Sequence, residues 1–192
     1  MSIRNLVFLA CALASGAALS ASLPDGFLKT CAECHGTDGV AVKPQTPHLN
    51  GQLSEYLEQE ISTLQGNKRP SGVANHVPAA WTPQQIGDVA KFYAASKSAR
   101  PAQATDAAKV ALGAKLYKER CAECHIDSGR GSDKDAPLMA AQNVDYMTEQ
   151  TKLFLSKKRR FPFMMDEAYE GVKLEDLEAI SHYWASQQQY KK

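Results

Sequence analysis

Apolar residues recur along this chain at the spacing of amphipathic helices, and no segment alternates strictly between apolar and polar positions as a half-buried strand does. One predicted helix follows Ser54. Its apolar face is formed by Leu53, Leu57, Ile61 and Leu64. The pattern therefore predicts a helical fold.

The start of the next helix carries a specific signal. Thr82 is a good N-cap, Pro83 suits the first helical position, and Gln85 completes a capping box. The apolar face that follows contains Ile86, Val89 and Tyr93. We expect this helix to close the first half of the chain.

The second half repeats this order after a longer opening helix. We expect the opening helix over residues 106–124, with Gly113 and Tyr117 on one side, and the next helix over residues 144–157. The closing helix carries Leu174, Leu177, Ile180 and Trp184. Only about eight residues precede Cys31 once an export signal is removed, so the opening helix of the first half must be short.

Shifting the chain by 90 positions against itself shows an internal repeat. Besides a shared CAECH segment, the pairs that match without a gap are Gly39/Gly129, Pro47/Pro137, Gln52/Gln142, Tyr56/Tyr146, Lys68/Lys158 and Arg69/Arg159. We expect two copies of one domain, over residues 23–97 and 106–192. Residues 98–105 are rich in Pro and Ala, lack an amphipathic period, and are predicted to link them.

Charge and hydropathy exclude several classes of protein. The 192 residues carry 22 Lys and Arg against 21 Asp and Glu, which is not the basic balance of a nucleic-acid-binding protein. Beyond the first 20 residues no uninterrupted apolar run reaches the roughly 18 residues of a membrane span. The mature chain is therefore expected to contain no transmembrane segment and to bind no nucleic acid.

The first 22 residues have the pattern of an export signal. Arg4 supplies the positive charge, residues 6–19 are apolar, and small residues around Ala18, Ser20 and Ala21 form a cleavage site. The alternative is a lipoprotein acylated at Cys11, but too little apolar sequence precedes that residue. We expect residues 1–22 to be a signal peptide and the mature protein to be periplasmic.

Four cysteines remain after cleavage, in a compartment where free thiols are oxidised. They lie in two identical motifs, Cys31-Ala-Glu-Cys34-His35 and Cys121-Ala-Glu-Cys124-His125. Two thiols at this spacing can add to the two vinyl groups of one haem, and the next residue then supplies an imidazole to the iron. The motifs predict two covalently bound haem c groups.

The cysteine spacing also suits two other kinds of site. A four-cysteine zinc site and a pair of redox-active dithiols both use C-x-x-C spacing, but both leave the two adjacent histidines unexplained. Haem also supplies what the helices lack, since three helices in fewer than about 90 residues bury little apolar area. Without haem we expect a poorly folded chain.

The sequence resembles the class I cytochromes c in its two CAECH motifs, its prolines Pro47 and Pro137 and its closing helices. As a two-domain exported chain it is similar to cytochrome c4 and to the dihaem subunit of flavocytochrome c. The resemblance covers the whole mature chain and implies an all-α fold of two tandem class I cytochrome c domains, each wrapped around one covalent haem. In that family a proline carbonyl twelve residues after the proximal histidine accepts its Nδ1 proton. Pro47 and Pro137 stand at that spacing from His35 and His125, although each proline could be a simple loop breaker.

The resemblance also implies distal iron ligands. In cytochrome c4 the distal ligand is a methionine about twelve residues before an aliphatic residue of the closing helix. Met165 is twelve residues before Leu177 and 40 after His125, so we expect Met165 to bind the second iron. Its neighbour Met164 is the competitor, and is otherwise expected to pack against the ring.

The first domain departs from the family because residues 22–97 contain no methionine. The repeat places the distal position near Ala74 or Asn75, and His76 stands beside them, 41 residues after His35. We expect His76 to be the distal ligand. The alternatives are an open or water-bound iron, or His48, which is otherwise expected to be an exposed loop residue. His182, in the closing helix, is expected at the surface.

One dense basic run covers residues 157–160 and reads Lys-Lys-Arg-Arg. It is either a solvated loop or a docking patch for an acidic partner.

The expected function is that of a periplasmic dihaem c-type cytochrome that transfers single electrons and is not an enzyme. The redox partners implied are a dehydrogenase, a cytochrome complex or a terminal oxidase. One rival is an electron-transfer subunit of a dehydrogenase complex, such as a sulfide-oxidising flavoprotein. The other is a small haem enzyme, a peroxidase or a thiosulfate-oxidising cytochrome, that acts at the first haem.

Overall fold

The computed structural model describes residues 23–133, 136–160 and 163–190. The predicted signal peptide and the side chain of Met164 lie outside that part. All regular elements in the described residues are helices. Their bounds are α1 Phe27–His35, α2 Ser54–Gln65, α3 Pro83–Ala95, α4 Ala107–Arg120, α5 Ile126–Gly129, α6 Val144–Leu155, α7 Phe163–Ala168 and α8 Leu174–Ala185. No helix in the described ranges is both long and apolar enough to cross a membrane.

Side chains cap the starts of helices α3 and α4. Thr82 accepts a hydrogen bond from the Gln85 backbone N–H while the Gln85 side chain bonds the Thr82 N–H, which confirms the capping box of α3. The Asp106 side chain caps α4 by accepting from the Lys109 N–H. Each cap satisfies a backbone donor that the first helical turn leaves without an intrahelical partner.

Two predicted helix ends are wrong. The opening helix of the second half ends at Arg120 instead of residue 124, because the backbone at Cys121 leaves the helical region with φ −120° and ψ −23°. Helix α6 ends at Leu155 instead of residue 157. Lys157 adopts a φ of +57°, in the left-handed region that stops a right-handed helix.

Each half of the chain has its own apolar core. In the first half Phe27 of α1 packs with residues of α2 and α3. The second core is made by α4, α6 and α8, and its buried residues are Tyr117, Met147, Leu177, Ile180, Trp184 and Ala185. Gly113 lets α4 and α8 approach closely, because a Cβ there would lie 2.1 Å from the Ala179 carbonyl oxygen.

The segment between the two halves is hydrogen-bonded to both of them. Arg100 is only 7% exposed, and its guanidinium donates to the Asn50 and Ala140 carbonyl oxygens, both at 3.0 Å. Asn50 and Ala140 are 90 positions apart and therefore occupy equivalent positions in the two copies of the repeat. Burial lowers the pKa of Arg100 to about 10, so the group stays charged at neutral pH. The two halves are thus held together by a buried cation in the linking segment.

Candidate haem sites

The four cysteines of the CAECH motifs are half-buried and form no disulfide. Cys31 and Cys34 lie in α1, whereas Cys121 and Cys124 lie in the turn that follows α4. Burial, with a smaller contribution from Cys34, raises the pKa of Cys31 to about 11, and burial raises the pKa of Cys121 to about 12. Neither of these two thiols has the lowered pKa that the attacking thiol of a redox-active dithiol needs.

The zinc alternative also fails on geometry. All four cysteines are within the described residues, but each pair belongs to a different half of the chain. Among the described residues no three His, Cys, Asp or Glu side chains come together in an arrangement that could hold a metal ion. A tetrahedral zinc site needs four such ligands at one point. The cysteine pairs are therefore two separate sites.

The histidine of each motif is held by the expected proline. His35 Nδ1 lies 3.0 Å from the Pro47 carbonyl oxygen, and His125 Nδ1 lies 2.9 Å from that of Pro137. Since a carbonyl can only accept, both Nδ1 atoms carry the proton and both Nε2 lone pairs remain available to a metal. Burial lowers the pKa of His35 to about 4 and lowers that of His125, so both imidazoles are neutral.

His76 lies opposite His35 in the first half. The two ring centroids are 6.0 Å apart and the ring planes differ by 26°. Nδ1 of His76 is 2.8 Å from the Ser71 hydroxyl, a bond that leaves Nε2 free when Nδ1 carries the proton. Burial, and to a lesser degree Arg69, lowers the pKa of His76.

This separation fits two imidazoles on one metal. A metal midway between them, at the usual metal-to-nitrogen distance of about 2 Å, would hold the ring centres about 6 Å apart. The neighbours Ala74 and Asn75 are exposed, whereas His76 is half-buried. The structure therefore places the His35 and His76 rings at a separation that one metal between them would give.

The prediction that His48 is an exposed loop residue is wrong. His48 is 4% exposed, and its Nδ1 accepts a hydrogen bond of 2.9 Å from the Ala41 N–H. Its backbone N–H and C=O are both bonded to the Gln142 side chain, which fixes the residue inside the protein. His182 is also less exposed than expected. It is half-buried, and its Nδ1 accepts from the Asp106 N–H at the start of α4.

In the second half a cleft joins the predicted ligands. It is lined by Arg120, Cys121, Cys124, His125, Met165, Ala168, Tyr169 and Trp184. Helix α7 thus places the Met165 side chain in the same cleft as His125. Met164, the competitor, has its side chain outside the described part of the chain.

The walls of this cleft fit an aromatic macrocycle. Trp184 is 7% exposed, and its ring is 5.3 Å from the His125 ring at 62°. Its indole Nε1 is buried without a hydrogen-bond partner in the described residues. Two half-buried thiols, a neutral imidazole, a thioether and an unpaired indole N–H match a covalently attached haem rather than a closed core.

A cluster that sequence reasoning missed lies between the two halves. Arg69 and Arg159 both donate to the Glu60 carboxylate, Arg159 at 3.0 Å. Arg69 also donates to the Tyr146 hydroxyl at 2.7 Å, and Arg159 to Gln150 Oε1 at 2.7 Å. Two guanidinium groups thus share one carboxylate. The repeat had singled out Arg69 and Arg159 as equivalent residues, which was the available signal.

This cluster corrects the interpretation of the basic run. Arg159 faces inward, with its guanidinium also 4.6 Å above the Phe154 ring, so it is not part of a solvated surface. Lys157, Lys158 and Arg160 are exposed. Any docking patch in residues 157–160 therefore consists of those three cations.

Comparisons with known proteins agree with these two sites. The sequence profile of cytochrome c matches residues 110–188. Cytochrome c-554(548) of Halomonas halodenitrificans is 36% identical over 75 residues, which is 35% of this chain and 86% of that protein. The chain belongs to the cytochrome c family. Cytochrome c4 of Stutzerimonas stutzeri is 27% identical to this cytochrome over 186 residues, with 87% of this chain and 89% of that protein covered.

Solved structures show the same likeness. Reduced cytochrome c4 from Pseudomonas stutzeri superimposes on this cytochrome with a TM-score of 0.71 and 25% identity, over 84% of this chain and 95% of that one. The thiosulfate dehydrogenase TsdBA from Marichromatium purpuratum gives a TM-score of 0.72 and 26% identity, over 83% of this chain but 36% of that chain. The predicted all-α fold of two tandem class I cytochrome c domains is confirmed.

These findings establish the cofactor and the general activity. The two CAECH motifs of this cytochrome are attachment sites for two covalently bound haem c groups. The protein is a c-type cytochrome and an electron carrier.

Proposed function

We propose that the two haems of this cytochrome have different axial ligands. His35 and His76 bind the iron of the first site, and His125 and Met165 bind that of the second. The observation that supports this most directly is the 6.0 Å separation of the near-parallel His35 and His76 rings, each with its Nδ1 occupied by a hydrogen bond.

The proposed domains follow the repeat. Residues 23–97 form the first haem domain, residues 106–192 the second, and residues 98–105 the connection, in which Arg100 binds both halves. This division is supported by the two apolar cores, which draw their residues from separate halves of the described chain.

Residues 1–22 are proposed to be a signal peptide, and the mature protein is proposed to work in the periplasm.

The two ligand sets give the two haems different reduction potentials. Bound haem supplies one-electron chemistry through the ferric and ferrous states of its iron. The Met165 thioether favours the ferrous state, whereas a second imidazole from His76 donates more electron density and favours the ferric state. Axial ligands account for a large share of the roughly 0.8 V range of haem potentials. Transfer from the first site to the second is therefore downhill.

A potentiometric titration followed by absorption spectroscopy tests this assignment. We expect two separate one-electron waves, with the His35/His76 site at the lower potential. His76→Met should raise the lower wave and leave the upper wave in place. Indistinguishable waves in the native protein, or a higher potential at the first site, would refute the proposed order.

A second candidate function has support from the likeness to thiosulfate dehydrogenase TsdBA. In that case this cytochrome passes electrons as the dihaem partner of a periplasmic dehydrogenase rather than between freely diffusing carriers. Affinity purification of the tagged protein from its native periplasm distinguishes the two. A stoichiometric dehydrogenase supports the second candidate, and a cytochrome that purifies alone supports the first.

A further inference from the structure

Two buried glutamines connect the halves of the protein in a reciprocal way. Gln142 lies in the second half, yet its side chain binds the backbone of His48 in the first. Its Oε1 accepts from the His48 N–H at 2.8 Å, and its Nε2 donates to the His48 carbonyl oxygen at 2.9 Å. Gln142 is 4% exposed, so water does not compete for these bonds.

Gln52 makes the same pair of bonds in the opposite direction. Its Oε1 accepts from the Leu138 N–H at 2.9 Å, and its Nε2 donates to the Leu138 carbonyl oxygen at 3.0 Å. Gln52 is 5% exposed. Gln52 and Gln142 are 90 positions apart, as are His48 and Leu138, so the repeat relates the two contacts to each other.

Each of these contacts ends on a peptide group that also holds a haem-motif histidine. The His48 N–H belongs to the same peptide group as the Pro47 carbonyl, which accepts from His35 Nδ1. In the second half the Leu138 N–H shares its peptide group with the Pro137 carbonyl, which accepts from His125 Nδ1. One peptide group therefore separates each glutamine from the motif histidine of the opposite half.

We infer that Gln142 tunes the His35 site and Gln52 tunes the His125 site, each as a positioning residue that acts across the domain boundary. A peptide N–H that donates a hydrogen bond polarises its group and makes the carbonyl a stronger acceptor. A stronger acceptor at Nδ1 orients the imidazole and increases its donation to a metal at Nε2. The inference rests on the proposed assignment of His35 and His125 as proximal ligands.

The direction of the effect follows from this chain of bonds. A glutamine that strengthens the proline carbonyl increases the electron donation of the opposite histidine, which favours ferric iron at that site. Removal of Gln142 therefore raises the potential of the first site, and removal of Gln52 raises that of the second. A glutamine that only joined the two halves would have no reason to affect the opposite site alone.

The interface does not depend on one glutamine. Arg100 still joins Asn50 to Ala140, and Arg159 still binds Glu60. Gln189 also crosses between the halves, with its Nε2 donating to the Asn50 carbonyl oxygen at 2.9 Å, but it touches neither proximal peptide group. Gln189→Leu is therefore a matched control that removes a cross-domain glutamine without touching Pro47–His48 or Pro137–Leu138.

The experiment is a spectroelectrochemical titration of the dihaem protein with Gln142→Leu, Gln52→Leu and Gln189→Leu. The methionine-to-iron absorption band identifies the second site. We expect Gln142→Leu to raise only the His35/His76 wave, Gln52→Leu to raise only the His125/Met165 wave, and Gln189→Leu to move neither. If a leucine variant does not accumulate, Gln→Met at the same position keeps the length of the side chain without its hydrogen bonds.

A shift of the wave in the glutamine's own half, an equal shift of both waves, or no shift in either variant would overturn the inference. Failure of the proposed ligand assignment looks different. It would show in the native protein, as the absence of two waves with the His/His and His/Met signatures, before any glutamine is changed.

Discussion

The rings of His35 and His76 lie 6.0 Å apart at 26° although 41 residues separate them in the chain. Helix α1 positions His35, whose Nδ1 is held by Pro47, while the loop before α3 positions His76, whose Nδ1 is held by Ser71. Two imidazoles whose Nδ1 atoms are both occupied can present two Nε2 atoms to one iron. This pair carries the proposal that the first haem lacks a thioether ligand.

Loss of His76 should open the first haem to external ligands. In His76→Ala we expect a vacant sixth position that binds carbon monoxide in the reduced protein, because the substitution removes the imidazole that lies 6.0 Å from the His35 ring. The measurement is the absorption change on carbon monoxide addition, with one haem per chain responding. Ser71→Ala is the control, since it removes only the Nδ1 partner and should leave the iron six-coordinate. A His76→Ala protein that still excludes carbon monoxide would contradict the assignment.

The methionine-to-iron bond of the second haem should come from Met165 and not from Met164. Met165→Ala removes the thioether that shares a cleft with His125, so the methionine-to-iron absorption band of the ferric protein should disappear. Met164→Ala is the matched control and should retain the band. Loss of the band in Met164→Ala with retention in Met165→Ala would show that the repeat alignment is displaced by one residue.

Close packing of α4 on α8 gives a stability prediction. Gly113→Ala places a Cβ within 2.1 Å of the Ala179 carbonyl oxygen, and the helices must separate to accommodate it. We expect the free energy of unfolding to fall by about 1 to 3 kcal/mol, which is the usual cost of overpacking a core. Urea denaturation monitored by circular dichroism measures it. Gly72→Ala, with nothing within 4 Å of the added carbon, should cost almost nothing, and equal losses in the two variants would contradict this packing.

His48 should make the protein less stable in acid. Burial, then Arg100 and His35, lowers its pKa from an ordinary 6.5 to about 4, with Asp38 opposing weakly. The unfolded chain therefore binds a proton at His48 that the folded chain does not, between about pH 6.5 and 4. Its contribution to stability is complete above pH 6.5 and is lost as the pH falls through that window.

The physical reason is that Nδ1 of His48 accepts from the Ala41 N–H, which a protonated imidazole cannot do. His48→Asn keeps an acceptor oxygen that does not titrate. Free energies of unfolding measured from pH 7 to 4 should therefore fall less steeply for His48→Asn than for the native protein. Identical slopes would show that His48 does not contribute to the acid sensitivity.

The sequence predicts local features well where one residue type has one physical use. The CAECH spacing and the capping box at Thr82 each depend on neighbours in the chain, and the structure contains the capping box. The hydrogen bond from His35 to Pro47 was instead expected from the resemblance to the class I cytochromes c, and the structure contains it as well. The left-handed backbone at Lys157 has no such signal, because no glycine or asparagine marks it. The predicted helix therefore ran two residues too far.

The contacts between the halves could not be predicted from the sequence, for a different reason. Gln142 binds His48 across 94 positions, and nothing in a helical period reports on a partner that distant. The repeat indicated that Gln52 and Gln142, and likewise Arg69 and Arg159, are equivalent residues. It could not show that each binds the opposite half, so the burial of Arg159 and of His48 was missed.

The most direct test of unlike ligation is an electron paramagnetic resonance spectrum of the fully oxidised native protein. It reports both axial ligand pairs at once, because the signal of low-spin ferric haem depends on its two axial ligands. We predict two low-spin signals of equal intensity, one of the His/His type that disappears in His76→Ala and one of the His/Met type that disappears in Met165→Ala. Two signals of the His/Met type, or a high-spin signal from the first site, would contradict the account.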